Sequence, residues 1–168
     1  MTISMYQASV PGVLRMMNSL SAILDKAKAM AAARKWEDST LLAARLYPDM
    51  FPLTRQIQIV SDTAKSIGAR LAGIEVPSYP DTETSIDELK ARLAKTADFL
   101  KSIHPSKFDG AETRQIVLTL GTGRKLEFTG QDFLFSNALP NFYFHATTAY
   151  DILRHCGLEL AKRDFLGG

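Results

Sequence analysis

Near the start of the chain apolar residues return every third or fourth position. Val10, Val13, Leu14, Met17, Leu20, Ile23 and Leu24 form one stripe on a helix that spans about residues 4–33. Thr2 and Ser4 stand where such a helix takes its N-cap, and Pro11 falls early enough to bend only the first turns. Asp38 or Ser39 then caps a short segment through Leu42 and Leu46, which Tyr47-Pro48-Asp49 closes. Pro52 opens a second long helix, 52–72, with the stripe Leu53, Gln56/Ile57, Val60, Ala64, Ile67 and Leu71, ended by Gly73 and Pro77. Ser85 followed three residues on by Glu88 is a capping box for a third helix, 86–103, whose stripe is Ile86, Leu89, Leu93, Ala97 and Leu100.

The period then changes from 3.6 to 2. Ile116, Leu118 and Leu120 alternate with Val117 and Thr119, and Leu126 and Phe128 repeat the alternation after Gly121-Thr122-Gly123, which predicts a β-hairpin over 114–129. A fourth helix occupies 131–156, with a break or kink at Pro140 and Gly157 as its C-cap. Four long helices with one hairpin between the third and fourth predict a mainly α fold, a four-helix bundle in one domain over 1–168. A lone hairpin is marginal in water, so this one must pack against the bundle or a second subunit.

Composition narrows the partners. The 168 residues are 46% hydrophobic, enough for a core without staples, and the 20 Lys and Arg are interspersed with 18 Asp and Glu for a net charge of +2. With no basic block, nucleic acid is not an expected partner. The lone Cys156 precludes an internal disulfide and suits a reducing compartment, so the expected location is the cytoplasm. Ala29-Met30-Ala31-Ala32-Ala33 imitates the end of a signal peptide, but no basic stretch precedes it and Asp25, Lys26 and Lys28 interrupt it, so it reads as helix. No run approaches the roughly 20 apolar residues of a membrane span.

Candidate chemistry centres on one histidine. Phe142, His145, Ala149, Ile152, Leu153 and Cys156 share a helical stripe, so the imidazole points into the bundle, where it serves either as ligand or general base or as a core histidine satisfied by a neighbouring helix. His155 is turned away from it and cannot share a metal, and His104 before Pro105 suits an exposed helix end. Gln56 lies on the apolar stripe of the second helix and needs a partner, in a pocket or across helices; Gln58 is at the edge. Asp62 either flanks that pocket or pairs with Lys65 or Arg55. Gly121-x-Gly123 lacks the spacing of a phosphate loop. Cys156 is about three turns from His145, too far for a Cys–His pair. These placements predict that His145, Gln56 and Asn141 line a small-molecule pocket opening near Pro140. Consecutive Phe142, Tyr143 and Phe144 diverge by about 100° each, so some aromatic surface is left for a homodimer to cover.

The runs PNFYFHATTAYDILRHCG, PDMFPLTRQIQ and RLAGIEVPSYPDTE resemble a bacterial family of unknown function grouped with the DinB/YfiT-like four-helix-bundle proteins, many of them regarded as metalloenzymes. The resemblance covers essentially the whole chain. It implies a site of three histidines for a divalent metal such as Zn or Ni, one from the second helix and two from an H-x-x-x-H on the fourth. His145 matches the first of that pair, but Ala149 stands at the second position and the second helix offers Gln56 and Gln58. The expectation is therefore a DinB-like bundle without the full metal site and without a cofactor; any metal present would have His145 as its ligand. The alternatives are a metal- or thiol-dependent enzyme of the DinB/YfiT-like type and a stress-related dimeric binding module.

Overall fold

Each long apolar stripe becomes a helix, and the four pack around one hydrophobic core. The structure, a computed structural model, describes residues 3–167. In chain order the elements are α1 (Met5–Arg34), the short α2 (Asp38–Leu42), α3 (Leu53–Ala72), α4 (Ile86–Ser102) and an antiparallel hairpin of β1 (Gln115–Thr119) and β2 (Lys125–Thr129). A composite helix follows, in which α5 (Gly130–Asp132) passes through π turns at Phe133–Ala138 into α6 (Leu139–His155), and α7 (Lys162–Leu166) comes last. The last helix is too short for its periodicity to be read in the sequence. It lies on α1, with Asp164 2.6 Å from Lys26 and Phe165 edge-on to Tyr150. Among the described residues no helix is long and apolar enough to cross a membrane.

The caps follow local chemistry with one exception. Ser4 with Gln7 and Ser85 with Glu88 form reciprocal capping boxes, and Gly73 ends α3 in the left-handed conformation at φ 68°. Thr2 lies outside the described residues. Neither Asp38 nor Ser39 caps α2. Asp38 is its first residue, and its Oδ2 instead accepts the N–H of Ile86 at 2.8 Å, capping α4 across the molecule.

Helix α3 is the centre of the arrangement, with α4 on one side and α6 on the other; α1 packs mainly on α4. At Gly68 the approach is so close that a Cβ would stand 2.4 Å from Leu100 Cδ2 of α4. The hairpin pairs Ile116 with Phe128 and Leu118 with Leu126, and it rests on the bundle through Ile116, Leu118 and Phe128. Arg70 of α3 donates to Val117 O at 3.0 Å and ties it down. Leu120, which the alternation places inward, is 40% exposed because the chain has already left the strand for the turn.

Pro140 does not break the fourth helix. Just ahead of it the winding loosens, and the Leu139 N–H reaches back five residues to Leu134 O. Phe135 O thereby loses its usual partner, and Ser136 O loses its own because Pro140 has no N–H.

Beneath the loop between α3 and α4 lies a buried cation that hydrophobic periodicity does not reveal. Arg92 on α4 is 4% exposed; its Nη1 donates to Pro80 O and Glu83 Oε1 at 2.9 and 2.8 Å. Its Nη2 reaches Asp62 Oδ1 at 2.8 Å and Asp81 Oδ1 at 2.9 Å. Lys65, 3% exposed, pairs with Asp62 at 2.9 Å and sits 3.9 Å from the centre of the Tyr79 ring. Burial alone would raise the Glu83 pKa, but hydrogen bonds from Arg92 and Gln58 outweigh it and hold the carboxyl below its ordinary value. Its folded pKa being depressed, Glu83 stabilises the protein above the ordinary glutamate pKa, and that contribution is lost as pH falls through the folded value. Arg92→Ala should cost about 2–3 kcal/mol in urea unfolding, less than the roughly 3–5 of a fully buried pair because Asp62 and Asp81 meet water. Glu83→Gln should flatten the loss of stability between about pH 5 and about pH 3, and an unchanged slope would contradict this assignment.

Candidate functional site

The seam between α3 and α6 carries the polar groups that an apolar core would otherwise exclude. On α6, Asn141 and His145 lie one turn apart; facing them on α3, Thr63 and Gln56 lie two turns apart. His145 Nδ1 is 2.6 Å from Gln56 Oε1, and Asn141 Nδ2 donates to Thr63 Oγ1 at 3.0 Å. Gln56 is 1% exposed and its Nε2 donates to Phe51 O at 2.9 Å.

That last bond decides the protonation of the imidazole. A backbone carbonyl only accepts, so the amide NH2 of Gln56 must face Phe51 and its oxygen must face His145. The oxygen in turn only accepts, so Nδ1 carries the proton and donates it. In the neutral ring the lone pair is then on Nε2. Burial, reinforced by the positive charge of Arg55, holds the His145 pKa below its ordinary value and favours this neutral form. Nε2 makes no hydrogen bond to the described residues. Arg92 Nε is the one fully buried side-chain nitrogen or oxygen without a partner among them, so Nε2 meets solvent. Its neighbour Phe144 stands edge-on to the imidazole at 5.2 Å and is 57% exposed. The arrangement gives a fixed acceptor, able to take a hydrogen bond or a proton, at the rim of an aromatic surface.

A cavity of about 200 Å³ opens beside Pro140, between α3, the π turns and the hairpin. Asn141 lines it; His145 and Gln56 are not among its walls. Asp62 both lines this cavity and pairs with Lys65, while Arg55 turns instead to Asp81 at 2.5 Å. Gln58 is not at an edge but buried under the Pro80–Glu83 loop, donating to Glu83 and accepting from Arg55. His104 caps the 3-10 turn at Pro105, exposed, and His155 is exposed as well. Cys156 is half-buried and its thiol is pushed up by burial, which keeps it protonated.

Comparison with known proteins places these features in context. Residues 5–166 match the model of a family described as a domain of unknown function, DUF1993. A crystal structure of a DinB family member protein from Shewanella denitrificans superposes with a TM-score of 0.89 at 42% identity, covering 97% of this chain and 92% of that one. No curated protein matches.

The three-histidine set implied by the DinB-like resemblance does not fit these side chains. Gln56 stands on α3, while α6 offers His145 and, one turn on, the fully buried Ala149. The Nδ1 face of the imidazole is already taken by the amide oxygen. Among the described residues no group of three or more His, Cys, Asp and Glu side chains is placed to share an ion.

In nitrogen-detected NMR, His145 should show the Nδ1–H tautomer and titrate below the ordinary imidazole value. The native state then binds fewer protons than the unfolded one between the two pKa values, so this contribution to stability grows with pH and is complete above the ordinary value. Gln56→Met leaves Nδ1–H unpaired in the core and should cost about 1–3 kcal/mol. Retention of the Nδ1–H tautomer in that variant would show that Gln56 does not set it.

Proposed function

We propose that this chain, which belongs to the DUF1993 family, is a metal-independent small-molecule-binding protein whose ligand sits on the α3–α6 seam. The observation that carries the reading is the relay from Phe51 O through Gln56 to His145, which presents a lone pair at Nε2 and orders it from behind. A core histidine needed only for packing would leave no acceptor at the surface. Here Nε2 keeps a narrow opening to solvent on a residue 8% exposed, beside the Phe144 ring, which is 57% exposed. The ligand that suits this rim joins an apolar ring to an O–H or N–H donor: the ring covers the aromatic edge and the donor meets Nε2. Arg55 disfavours a cationic partner there, since its charge is felt at the imidazole.

The same exposed rings support a homodimer. Phe142 and Phe133 are buried, whereas Phe135, Tyr143 and Phe144 point outward, leaving aromatic surface on the fourth helix for a second copy to cover.

Two measurements test these readings. Phenol should move the Nε2 resonance of His145, anisole should not, and His145→Phe should abolish the response; equal shifts with both probes would remove the hydrogen bond from the reading. Light scattering should give about twice the 18.6 kDa chain mass at micromolar concentration, and a monomer would refute the dimer.

A further inference from the structure

The cavity beside Pro140 has a different chemistry from the imidazole rim, and its walls define a ligand class. From α3 come Asp62, Thr63 and Ser66; from the fourth helix come Asn137 and Asn141; Leu118 and Phe133 supply apolar surface. What matters is the hydrogen-bonding capacity left over once the protein's own bonds are counted. Asp62 spends Oδ1 on both Arg92 and Lys65, which leaves Oδ2 an open acceptor. Asn141 donates through Nδ2 to Thr63, which leaves its own Oδ1 and the Thr63 hydroxyl proton unused. Ser66 Oγ accepts from Arg70 Nε at 3.0 Å and keeps its proton to give. Asn137 makes no side-chain hydrogen bond to the described residues, so its amide offers both a donor and an acceptor.

Donors and acceptors thus both border a small space with an apolar surface, and none of the lining groups is a cation. An anion finds no counter-charge, because the nearby positive charges are already neutralised at Asp62. A simple cation finds a carboxylate whose charge is shared with two others. Hydroxyl groups fit, since each can donate to one wall and accept from the next. The volume lies below the roughly 300–1,000 Å³ of drug-sized sites, which limits the occupant to a compact molecule. The π turns add an independent argument. They are uncommon, cluster at functional sites, and carry Asn137 at this cavity.

We infer that this cavity is a binding site for a compact, neutral polyhydroxy molecule of pentose or hexose size. The inference rests on the preceding reading only in placing a ligand on the α3–α6 seam.

The test uses the full chain with myo-inositol as probe and cyclohexanol and inorganic phosphate as controls, followed by NMR of the asparagine side-chain amides. Myo-inositol should shift the Asn137 and Asn141 amides at millimolar concentration. Asn137→Ala, on a half-exposed position that leaves the fold intact, should weaken it roughly five- to tenfold, and Ser66→Ala should also weaken it. His145→Phe should leave the response unchanged. Equal binding of cyclohexanol, or tighter binding of phosphate, would overturn the polyhydroxy assignment. A myo-inositol response lost in His145→Phe but kept in Asn137→Ala would move the ligand to the imidazole and overturn this inference while sparing the preceding one. No response at tens of millimolar would overturn this inference alone, because the phenol experiment reads the imidazole separately.

Discussion

A guanidinium cannot sit in a helical core without compensation, and Arg92 sits in one. Satisfying it draws Glu83 and Asp81 down from the loop before α4 and Asp62 across from α3, so the loop takes its course from this one charge. Each partner then has a second task. Asp81 holds Arg55, the residue beside Gln56, whose charge biases the imidazole. Asp62 also lines the cavity at the π turns. Glu83 takes the amide of Gln58 and fixes the buried side of α3. The two candidate sites, which share no lining residue, are therefore aligned by the same ion cluster.

Helix α3 explains how both can exist in so small a protein. One side packs on α4 so closely that a Cβ at Gly68 would displace the Leu100 side chain, and the side toward α6 carries the polar groups. The positions that face such a seam, about three to four in every two turns, are normally apolar in a bundle. Here Gln56 interrupts the stripe of α3 and His145 the facing one, while Thr63 meets the exposed Asn141 at the edge of the seam. Each polar intruder is answered by another, so the seam avoids the penalty of unsatisfied burial while retaining unused lone pairs and protons.

The sequence made the helices and hairpin legible because their stripes and caps are local: Ser85 and Glu88, or Gly73, state their roles within one turn. It also made His145 and Gln56 legible, since a polar residue on an apolar stripe announces a need for a partner. It placed the two as neighbours, but it did not reveal the direction of the bond between them, which the Phe51 carbonyl sets by claiming the Gln56 amide. Arg92 stayed hidden for another reason. Its neighbours Leu89 and Leu93 belong to a stripe that is complete without it, and its three carboxylates come from two other segments, α3 and the loop before α4. The π turns were equally silent: Pro140 signalled trouble in the helix, but not that the chain would meet it by widening the preceding turn.

The cap of α4 has a consequence for how the molecule assembles. Capping is ordinarily settled within a few residues, and Ser85 with Glu88 does settle most of it locally. Ile86 is different, because its N–H finds its acceptor on Asp38, 48 positions earlier in the chain. Helix α2 is five residues long, too short to persist by itself, and it gains a fixed place by reaching α4. Neither end is complete until the other has arrived. Solvent exchange at the Ile86 amide therefore requires the Asp38 contact to open, so that single proton reads the contact between α2 and the start of α4.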